Sequence, residues 1–493
     1  MAYDLIFRNA TLYDGTGAPA VIGDLAVEGD RIAAIGSVAG SGAETIDATG
    51  LALSPGFIDV HTHDDFAAIL YPDMGFKTEG GVTSCIVGNC GMGAAPFAAA
   101  AILARSLHPH AALAEWDGYG GYLARLDAQP PAVNIGALIG HGTARMTVMG
   151  RNPAAPSDAD MARMKDIVRE GLDAGAIGLS TGLIYDPGRH AATDELIELA
   201  GLMRGTGALY TTHLRDEGLG LLDSIGEAMR IGEAAGVGVQ ISHHKASGKA
   251  AWGLVERSLG LIDAAQRRGL DIHADQYPYT AGSTVLAAVA QDGRLGGSAG
   301  GVGALAPEDV VIASAARHPE WEGRSIAALM ADFAQPLEAV LTRVLAEEPG
   351  ATVILHTISE DDVRTVMRHP STMIGSDGLP TLEGKPHPRL YGTFARVLGR
   401  YARDLSVLSM PDAVYRMTGF PAAKFGLAGR GTLKEGAFAD LVLFDPATII
   451  DRGTFEDPKR APEGIRLVVV NGKAVVRGGA VTGERPGRTL RRA

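Results

Sequence analysis

Short apolar runs that suit buried β-strands recur between residues 57 and 377 and alternate with longer segments of helical spacing. One such segment is MARMKDIVREGLDAG (161–175), where apolar residues recur every three or four positions before a glycine. Alternating strands and helices predict an α/β fold with a parallel sheet, and about eight such units predict a TIM-type (β/α)8 barrel. The candidate strands are FIDVH (57–61), TSCIVG (83–88), VNIGALIG (133–140), AIGLS (176–180), ALYTTH (208–213), VGVQISH (237–243), LDIHAD (270–275), TVILH (352–356) and TMIGSD (372–377).

A barrel of this type has eight strands, so at least one of these candidates lies outside it. We expect the outlier to be either LDIHAD or TVILH. Residues 283–335 include the glycine-rich stretch GRLGGSAGGVGALAPED and form an insertion near a strand exit. A long insertion at such a place is either a lid over a site or a surface loop without a role.

Both ends of the chain have a different pattern from the middle. Residues 4–55, and segments such as ADLVLFD and GIRLVVVNGKAVV near the C-terminus, show alternation, β-branched residues and Gly or Asn turns. We therefore expect residues 1–55 and 420–493 to build one small β-sandwich domain. Residues 56–419 then form the barrel domain.

Charge and cysteine content restrict the class of partner and the compartment. The net charge of −13 argues against nucleic acid or an anionic membrane surface as a partner. The first residues lack the apolar core of a signal peptide, and no apolar run reaches the length of a membrane span. We expect a cytoplasmic protein, in which a disulfide between Cys85 and Cys90 is not favoured.

Potential metal ligands stand at the ends of several candidate strands. Because the C-terminal ends of parallel barrel strands share one face, these side chains are expected to form a single site. Taken singly, each has an ordinary explanation: a structural histidine, a buried thiol or a turn aspartate. The set consists of His61, His63, Cys90, His213, His243 and Asp377.

The joint pattern points to zinc. His61 and His63 project to the same side of their strand because side chains alternate with period 2. Imidazole and thiolate ligands together suit Zn²⁺. Cys90, in the loop IVGNCG (86–91), could serve as a metal ligand, a nucleophile or a buried filler, and the zinc could be catalytic or purely structural.

Several motifs resemble one enzyme family. SPGFIDVHTHDD (54–65) is similar to the opening motif of the amidohydrolase superfamily. GVTSCIVGNCGMGAAP (81–96), THLRDEG (212–218), ISHHK (241–245) and HPRLYGTF (387–394) together resemble the N-acyl-D-amino-acid deacylases, or D-aminoacylases. The resemblance runs nearly from end to end of the chain and implies zinc-dependent hydrolysis of N-acyl-D-amino acids to a carboxylate and a free D-amino acid.

The resemblance also implies roles for the candidate ligands. Cys90 matches the cysteine that replaces a bridging carboxylated lysine in this family. The implied tight zinc site is Cys90, His213 and His243, and the implied weaker second site is His61 and His63, which share Cys90 and Asp377. Asp377 is implied as the residue that takes the proton of water and passes it to the leaving amine.

The substrate's α-carboxylate requires a cation or hydrogen-bond donors. Lys245, two residues after His243, is the first candidate, and Arg389 is the alternative. The family resemblance adds Tyr185, Tyr277 and Ser283 as substrate-binding residues.

The side-chain preference is read from apolar residues in the matched loops. Met92, Leu183 and Ile184 favour a neutral, hydrophobic D-side chain. Hydrolysis of cyclic amides or D-dipeptides, and a non-catalytic zinc protein, remain the alternative functions. The oligomeric state is open.

Overall fold

Eight parallel strands form a barrel at the centre of the chain. The structure is a computed structural model that describes residues 3–109, 112–291, 293–296 and 301–492. Neighbours in the chain are neighbours in the sheet, and every strand is buried or nearly so. The predicted TIM-type barrel is thereby confirmed. The strands are β1 (Phe57–Asp59), β2 (Val82–Val87), β3 (Asn134–Gly140), β4 (Gly178–Gly182), β5 (Leu209–His213), β6 (Gly238–Ile241), β7 (Ile272–Gln276) and β8 (Thr372–Ile374).

LDIHAD is a barrel strand, whereas TVILH is not. The run 352–355 pairs with Gly282–Val285 and Val310–Ser314 in a separate three-stranded antiparallel sheet. LDIHAD forms most of β7 and pairs in parallel with β6 and β8.

Helices follow most of the barrel strands. The helix predicted at 161–175 spans Asp158–Ala174, begins with a Ser157–Asp160 capping box and ends at Gly175 in the left-handed conformation. The other α-helices are Ala67–Leu70, Gly75–Thr78, Phe97–Ala104, Gly118–Ala128, His141–Met149, Thr193–Ala200, Leu221–Ala235, Leu254–Arg267, Leu286–Val289, Ile326–Phe333, Leu337–Glu347, Glu360–Arg368, Arg389–Arg396, Met410–Met417 and Gly419–Lys424, and Val397–Asp404 is π-helical.

Both ends of the chain contribute to one mostly antiparallel sheet, which confirms an additional β domain. Its two halves meet where Ala52–Pro55 pairs with Leu441–Phe444. The boundaries at 55 and 420 stay predictions. The strands are Tyr3–Leu12, Val21–Glu28, Arg31–Gly36, Gly42–Asp47, Ala52–Pro55, Leu441–Phe444, Ile465–Val470, Lys473–Arg477 and Ala480–Val481. Beyond them, Thr489–Leu490 pairs with β3 of the barrel.

The insertion after β7 is a folded unit that reaches beyond the predicted limit of 335. It contains the three-stranded sheet, the hairpin strands Ala290–Gln291 and Arg294–Leu295, and an apolar cluster that includes Leu286, Ile312 and Val353. Part of the glycine-rich stretch lies outside the described residues. The lid role of the insertion stays a prediction. No helix among the described residues is both long and apolar enough to span a membrane.

The first and last barrel strands, β1 and β8, are joined by buried polar contacts instead of a continuous row of backbone hydrogen bonds. An isolated parallel bridge joins Thr62 to Gly378. The Asp59 carboxylate accepts hydrogen bonds from the Ser376 backbone N–H at 2.8 Å, the Ser376 hydroxyl at 2.6 Å and Lys77 Nζ at 2.7 Å. These contacts hold the end of β1 beside the end of β8.

Loss of the Lys77 charge is expected to destabilise the barrel strongly. Lys77 is 1% exposed, and its Nζ lies 2.7 Å from Asp59 and 3.3 Å from Asp64. Lys77→Met leaves two buried carboxylates without their cation, which costs about 3–5 kcal/mol in the free energy of unfolding. Denaturant unfolding measures this loss, with Lys165→Met, which breaks a partly exposed pair with Glu198, as the control expected to cost less than about 1 kcal/mol. Equal losses in the two variants would contradict a special role for Lys77.

Candidate metal centre

Cys90 lies in a tight turn directly after β2. Gly88 and Gly91 have φ values of 83° and 74°, which favour glycine. The Asn89 side-chain amide donates a hydrogen bond to the Ile86 carbonyl at 2.9 Å and so closes the turn. This turn places the Cys90 thiol among the imidazoles that follow other barrel strands.

Three imidazole nitrogens face the Cys90 sulfur. Sγ lies 3.4 Å from His61 Nε2, 3.6 Å from His213 Nδ1 and 3.5 Å from His243 Nε2. With zinc–sulfur and zinc–nitrogen bonds of about 2.3 and 2.1 Å, tetrahedral geometry places ligand sulfur and nitrogen about 3.6 Å apart. The spacing and chemistry of these donors therefore fit zinc.

The predicted ligands fall into two overlapping groups of buried donors. Cys90, His213 and His243 form one group, in which the ligand atoms lie within 4.8 Å of one another. The same limit defines the second group, and Cys90 is common to both. The second group consists of His61, His63, Cys90 and Asp377.

Backbone strain is concentrated at this site. Among the described residues, eight that are not glycine have positive φ, and three of them are Cys90 at 53°, His243 at 34° and Asp377 at 49°. Such conformations cost of order 1–3 kcal/mol each and are common where function fixes a side chain. The strain favours a functional origin for the cluster.

The two cysteines have opposite electrostatic environments. Burial opposes ionisation of Cys90, but the facing His61 and His243 outweigh it and hold the thiol pKa well below its usual range. Burial raises the pKa of the Cys85 thiol well above its usual range. The surroundings of Cys90 therefore favour its thiolate form, whereas Cys85 belongs to neither group of donors.

Asp377 is held between the imidazoles and an arginine. Oδ1 lies 3.2 Å from His63 Nε2 and 3.5 Å from His61 Nε2, and Oδ2 pairs with Arg389 Nη2 at 2.8 Å. Burial tends to raise the pKa of this carboxyl, but the Arg389 guanidinium, followed by His243, overcomes it and holds the pKa well below its usual range. These contacts favour the ionised form of the Asp377 carboxyl.

Lys245 and Arg389, the two candidate cations, differ in how many of their hydrogen-bond donors have a partner. Lys245 Nζ donates to Glu217 Oε1 at 2.6 Å and to the His243 carbonyl at 3.1 Å. Arg389 uses only Nη2, which contacts Asp377 and the Ser283 carbonyl, whereas its buried Nε and Nη1 have no hydrogen-bond partner among the described residues. Arg389 therefore has free donors.

The hydroxyl-bearing residues predicted to bind substrate also lie in this region. The Tyr277 hydroxyl is buried without a hydrogen-bond partner among the described residues, and the Arg389 guanidinium lies 4.4 Å from the centre of its ring. Tyr185 packs edge-on against His213 at 5.0 Å, and its hydroxyl is hydrogen-bonded to Thr284 Oγ1 at 3.0 Å. Ser283 stands in the first strand of the insertion, which thereby borders the site.

Sequence reasoning missed two buried carboxylates behind the histidines. Glu217 lies 3.0 Å from His243 Nδ1, and Asp275 lies 3.2 Å from His61 Nδ1. The sequence held a signal for each carboxylate: Glu217 follows His213 by four residues, and Asp275 is the second-last residue of β7.

A sequence profile described as the amidohydrolase family matches residues 44–476. The chain belongs to the amidohydrolase family. Relatives from Alcaligenes xylosoxydans xylosoxydans indicate that it belongs to the D-aminoacylase branch of this family. A D-aminoacylase is 42% identical over 492 residues, which cover 99% of this chain and 98% of that protein. An N-acyl-D-aspartate deacylase is 41% identical, with 99% and 95% covered.

Solved structures of amidohydrolases agree with this placement. An N-acyl-D-glutamate deacylase from Bordetella bronchiseptica, complexed with zinc and a phosphonate inhibitor, is 38% identical, has a TM-score of 0.90 and matches over 100% of both chains. A D-aminoacylase structure has the same TM-score and 39% identity, with 99% of this chain and 100% of that chain covered. A D-hydantoinase is 16% identical with a TM-score of 0.58, and this likeness shows the fold alone.

Proposed function

We propose that this amidohydrolase uses zinc to hydrolyse N-acyl-D-amino acids to a carboxylate and a free D-amino acid. The observation that carries the proposal is the Cys90 sulfur within 3.6 Å of three imidazole nitrogens, beside the ion-paired Asp377. The relatives named above act on N-acylated D-amino acids by their names, which supports the same substrate class here. The resemblance alone supports the D configuration.

The tight zinc site is proposed to consist of Cys90, His213 and His243. Three protein ligands leave one tetrahedral position open, as in catalytic zinc sites, whereas structural sites are closed by four. Zinc bound there supplies a Lewis acid for the amide carbonyl and lowers the pKa of water to about 7. His61 and His63 are proposed to form the weaker second site with Cys90 and Asp377.

Asp377 is proposed to move the proton between water and the leaving nitrogen. Its ionised Oδ1 accepts a proton as the water oxygen bonds to the amide carbon. The protonated carboxyl is then a strong acid that delivers the proton to nitrogen as the C–N bond breaks, because an unprotonated amide nitrogen leaves poorly. The pair with Arg389 fixes the direction of Oδ1 during both transfers.

Arg389 is proposed to be the main partner of the substrate's α-carboxylate. Its Nε and Nη1 and the Tyr277 hydroxyl are buried donors without partners among the described residues, so a carboxylate would satisfy them. Lys245 contributes positive charge, although its shortest hydrogen bond is to Glu217. Tyr185 and Ser283 are proposed to line the same end of the site.

A neutral, hydrophobic D-side chain is proposed as the preferred substituent. Leu183 and Ile184 are buried, and Ile184 belongs to the apolar cluster of the insertion. Met92 lines a cavity of about 30 Å³ next to His63 and Phe66. Two of the relatives named above are, by their names, deacylases of acidic N-acyl-D-amino acids, so a comparison of neutral with acidic substrates decides this preference.

The proposed function is tested by hydrolysis of N-acetyl-D-methionine, its L enantiomer and the N-acetyl derivatives of D-glutamate and D-aspartate. We expect release of free amino acid from the D-methionine compound at least about 100-fold faster than from its enantiomer, because only one enantiomer can pair its carboxylate with Arg389 while its amide lies at the metal. Equal rates on both enantiomers, or no activity from a zinc-loaded sample, would contradict it. Faster hydrolysis of an acidic substrate would refute only the hydrophobic preference.

Cytoplasmic location stays a prediction, and it is consistent with a Cys90 that remains reduced.

A further inference from the structure

Each imidazole that faces Cys90 uses one ring nitrogen to do so and directs the other towards a buried carboxylate. His243 Nδ1 lies 3.0 Å from Glu217 Oε1. His213 Nε2 lies 3.6 Å from Glu217 Oε2, which is an electrostatic contact longer than a hydrogen bond. His61 Nδ1 lies 3.2 Å from Asp275 Oδ1, within ion-pair distance but without the geometry of a hydrogen bond.

The proton position on His243 identifies Glu217 as the matching partner. A metal on Nε2 requires the proton to be on Nδ1, which then needs an acceptor. Both Lys245 Nζ and Glu217 Oε1 lie 3.0 Å from Nδ1, but an ammonium group has no acceptor. Only the carboxylate is compatible with a metal-binding tautomer.

Both carboxylates are held rigidly by other contacts. Glu217 is 2% exposed, receives Lys245 Nζ at 2.6 Å, and has its backbone N–H bonded to the Gly301 carbonyl of the insertion at 2.6 Å. Asp275 is 1% exposed and accepts the His243 backbone N–H at 2.8 Å and Gln240 Nε2 at 3.0 Å. Their oxygens are therefore fixed relative to the histidines.

We propose that Glu217 and Asp275 are positioning residues, each serving a different part of the metal centre. Glu217 orients His213 and His243 of the tight site, and Asp275 orients His61 of the weaker site. Carboxylates behind histidine ligands fix the tautomer and ring direction and increase ligand basicity, and their loss typically costs about 10–100-fold in metal affinity. This inference rests on the proposed zinc site.

The test is zinc titration of metal-free wild type, Glu217→Gln and Asp275→Asn against a chromophoric chelator. Glu217→Gln is expected to weaken the tight binding step by about 10–100-fold. Asp275→Asn is expected to weaken the second step by about 10-fold or more and to change the first by less than about 3-fold, since asparagine still offers an oxygen to the His243 N–H. The spectrum of the cobalt-substituted protein should change in Glu217→Gln, because ring positions around the thiolate change.

Glu195→Gln is the matched control. Glu195 is a buried carboxylate that contacts a histidine ring nitrogen at 2.8 Å, but that histidine, His141, belongs to neither group of donors. Its zinc affinities should equal those of wild type. Thermal unfolding of the metal-free proteins separates a folding defect from a binding defect, and Glu217→Asp, which keeps the charge, should recover part of the tight affinity if Glu217→Gln folds poorly.

The outcomes separate this inference from the proposed function. Wild type that binds no zinc would refute the proposed function. Wild type that binds zinc and hydrolyses substrate, together with folded Glu217→Gln and Asp275→Asn variants of unchanged affinity, would overturn the positioning roles alone. Equal weakening of both steps by both variants would overturn the division between the two residues.

Discussion

Replacement of Cys90 by alanine is expected to remove zinc and hydrolytic activity together. The Cys90 sulfur is the donor common to both groups, so its loss would open both proposed sites. Loss of a metal that contributes several kcal/mol of transition-state stabilisation corresponds to a decrease in kcat/KM of about 10³-fold or more. Elemental analysis and initial rates on one sample of the variant measure the two losses.

Cys85→Ala is the matched control for that experiment. Cys85 is fully buried in the main hydrophobic cluster and belongs to neither group of donors. Its replacement is expected to lower the free energy of unfolding by about 1 kcal/mol while leaving zinc content and kcat unchanged. A Cys90→Ala protein that keeps wild-type zinc and activity would show that the sulfur is no ligand.

Replacement of Asp377 by asparagine is expected to separate metal binding from catalysis. The tight group of Cys90, His213 and His243 does not include Asp377, so one zinc should remain bound. Loss of the proton-transfer group should lower kcat by about 10²–10⁴-fold. Zinc content, kcat and KM are measured on the same preparation.

The control for Asp377→Asn is Asp194→Asn, since Asp194 has an exposed side chain and pairs only loosely with Arg230 at 3.5 Å. That variant should match wild type in all three quantities. An Asp377→Asn enzyme with full zinc and a kcat within about 3-fold of wild type would refute the proton-transfer role.

The barrel and the clustering of the candidate ligands could be predicted from the sequence because they depend on local patterns. Strand–helix alternation determines the parallel order of the strands, and that order brings residues as distant as His61 and Asp377 to one face. LDIHAD and TVILH could not be separated, because both are short buried runs. The partners of TVILH at 282–285 and 310–314 lie within the insertion: GSTV has a weak strand pattern, whereas the β-branched run VVIAS was not counted among the candidate strands.

The roles of Glu217 and Asp275, and the hydrogen-bond partners of Lys245 and Arg389, could not be predicted because they depend on burial, which the local sequence does not give. Glu217 stands in the charged stretch THLRDEG, which is typical of an exposed loop, yet it is 2% exposed. Lys245 does lie near His243, but both follow the end of β6 and His243 has a positive φ, so strand alternation is not the cause. The sequence also could not show that Glu217 neutralises this lysine. Asp275 was missed because it ends one of the two strands whose place in the barrel was open.

Zinc titration of the metal-free wild-type enzyme, with hydrolysis of N-acetyl-D-methionine as the readout, would test the proposed function most directly. The rate should be near zero without metal, rise linearly with added zinc and stop rising at about one equivalent, when the site of Cys90, His213 and His243 is filled. Full activity of a sample shown to contain no metal, or a rise that stops only at two equivalents, would contradict a catalytic centre with one essential zinc.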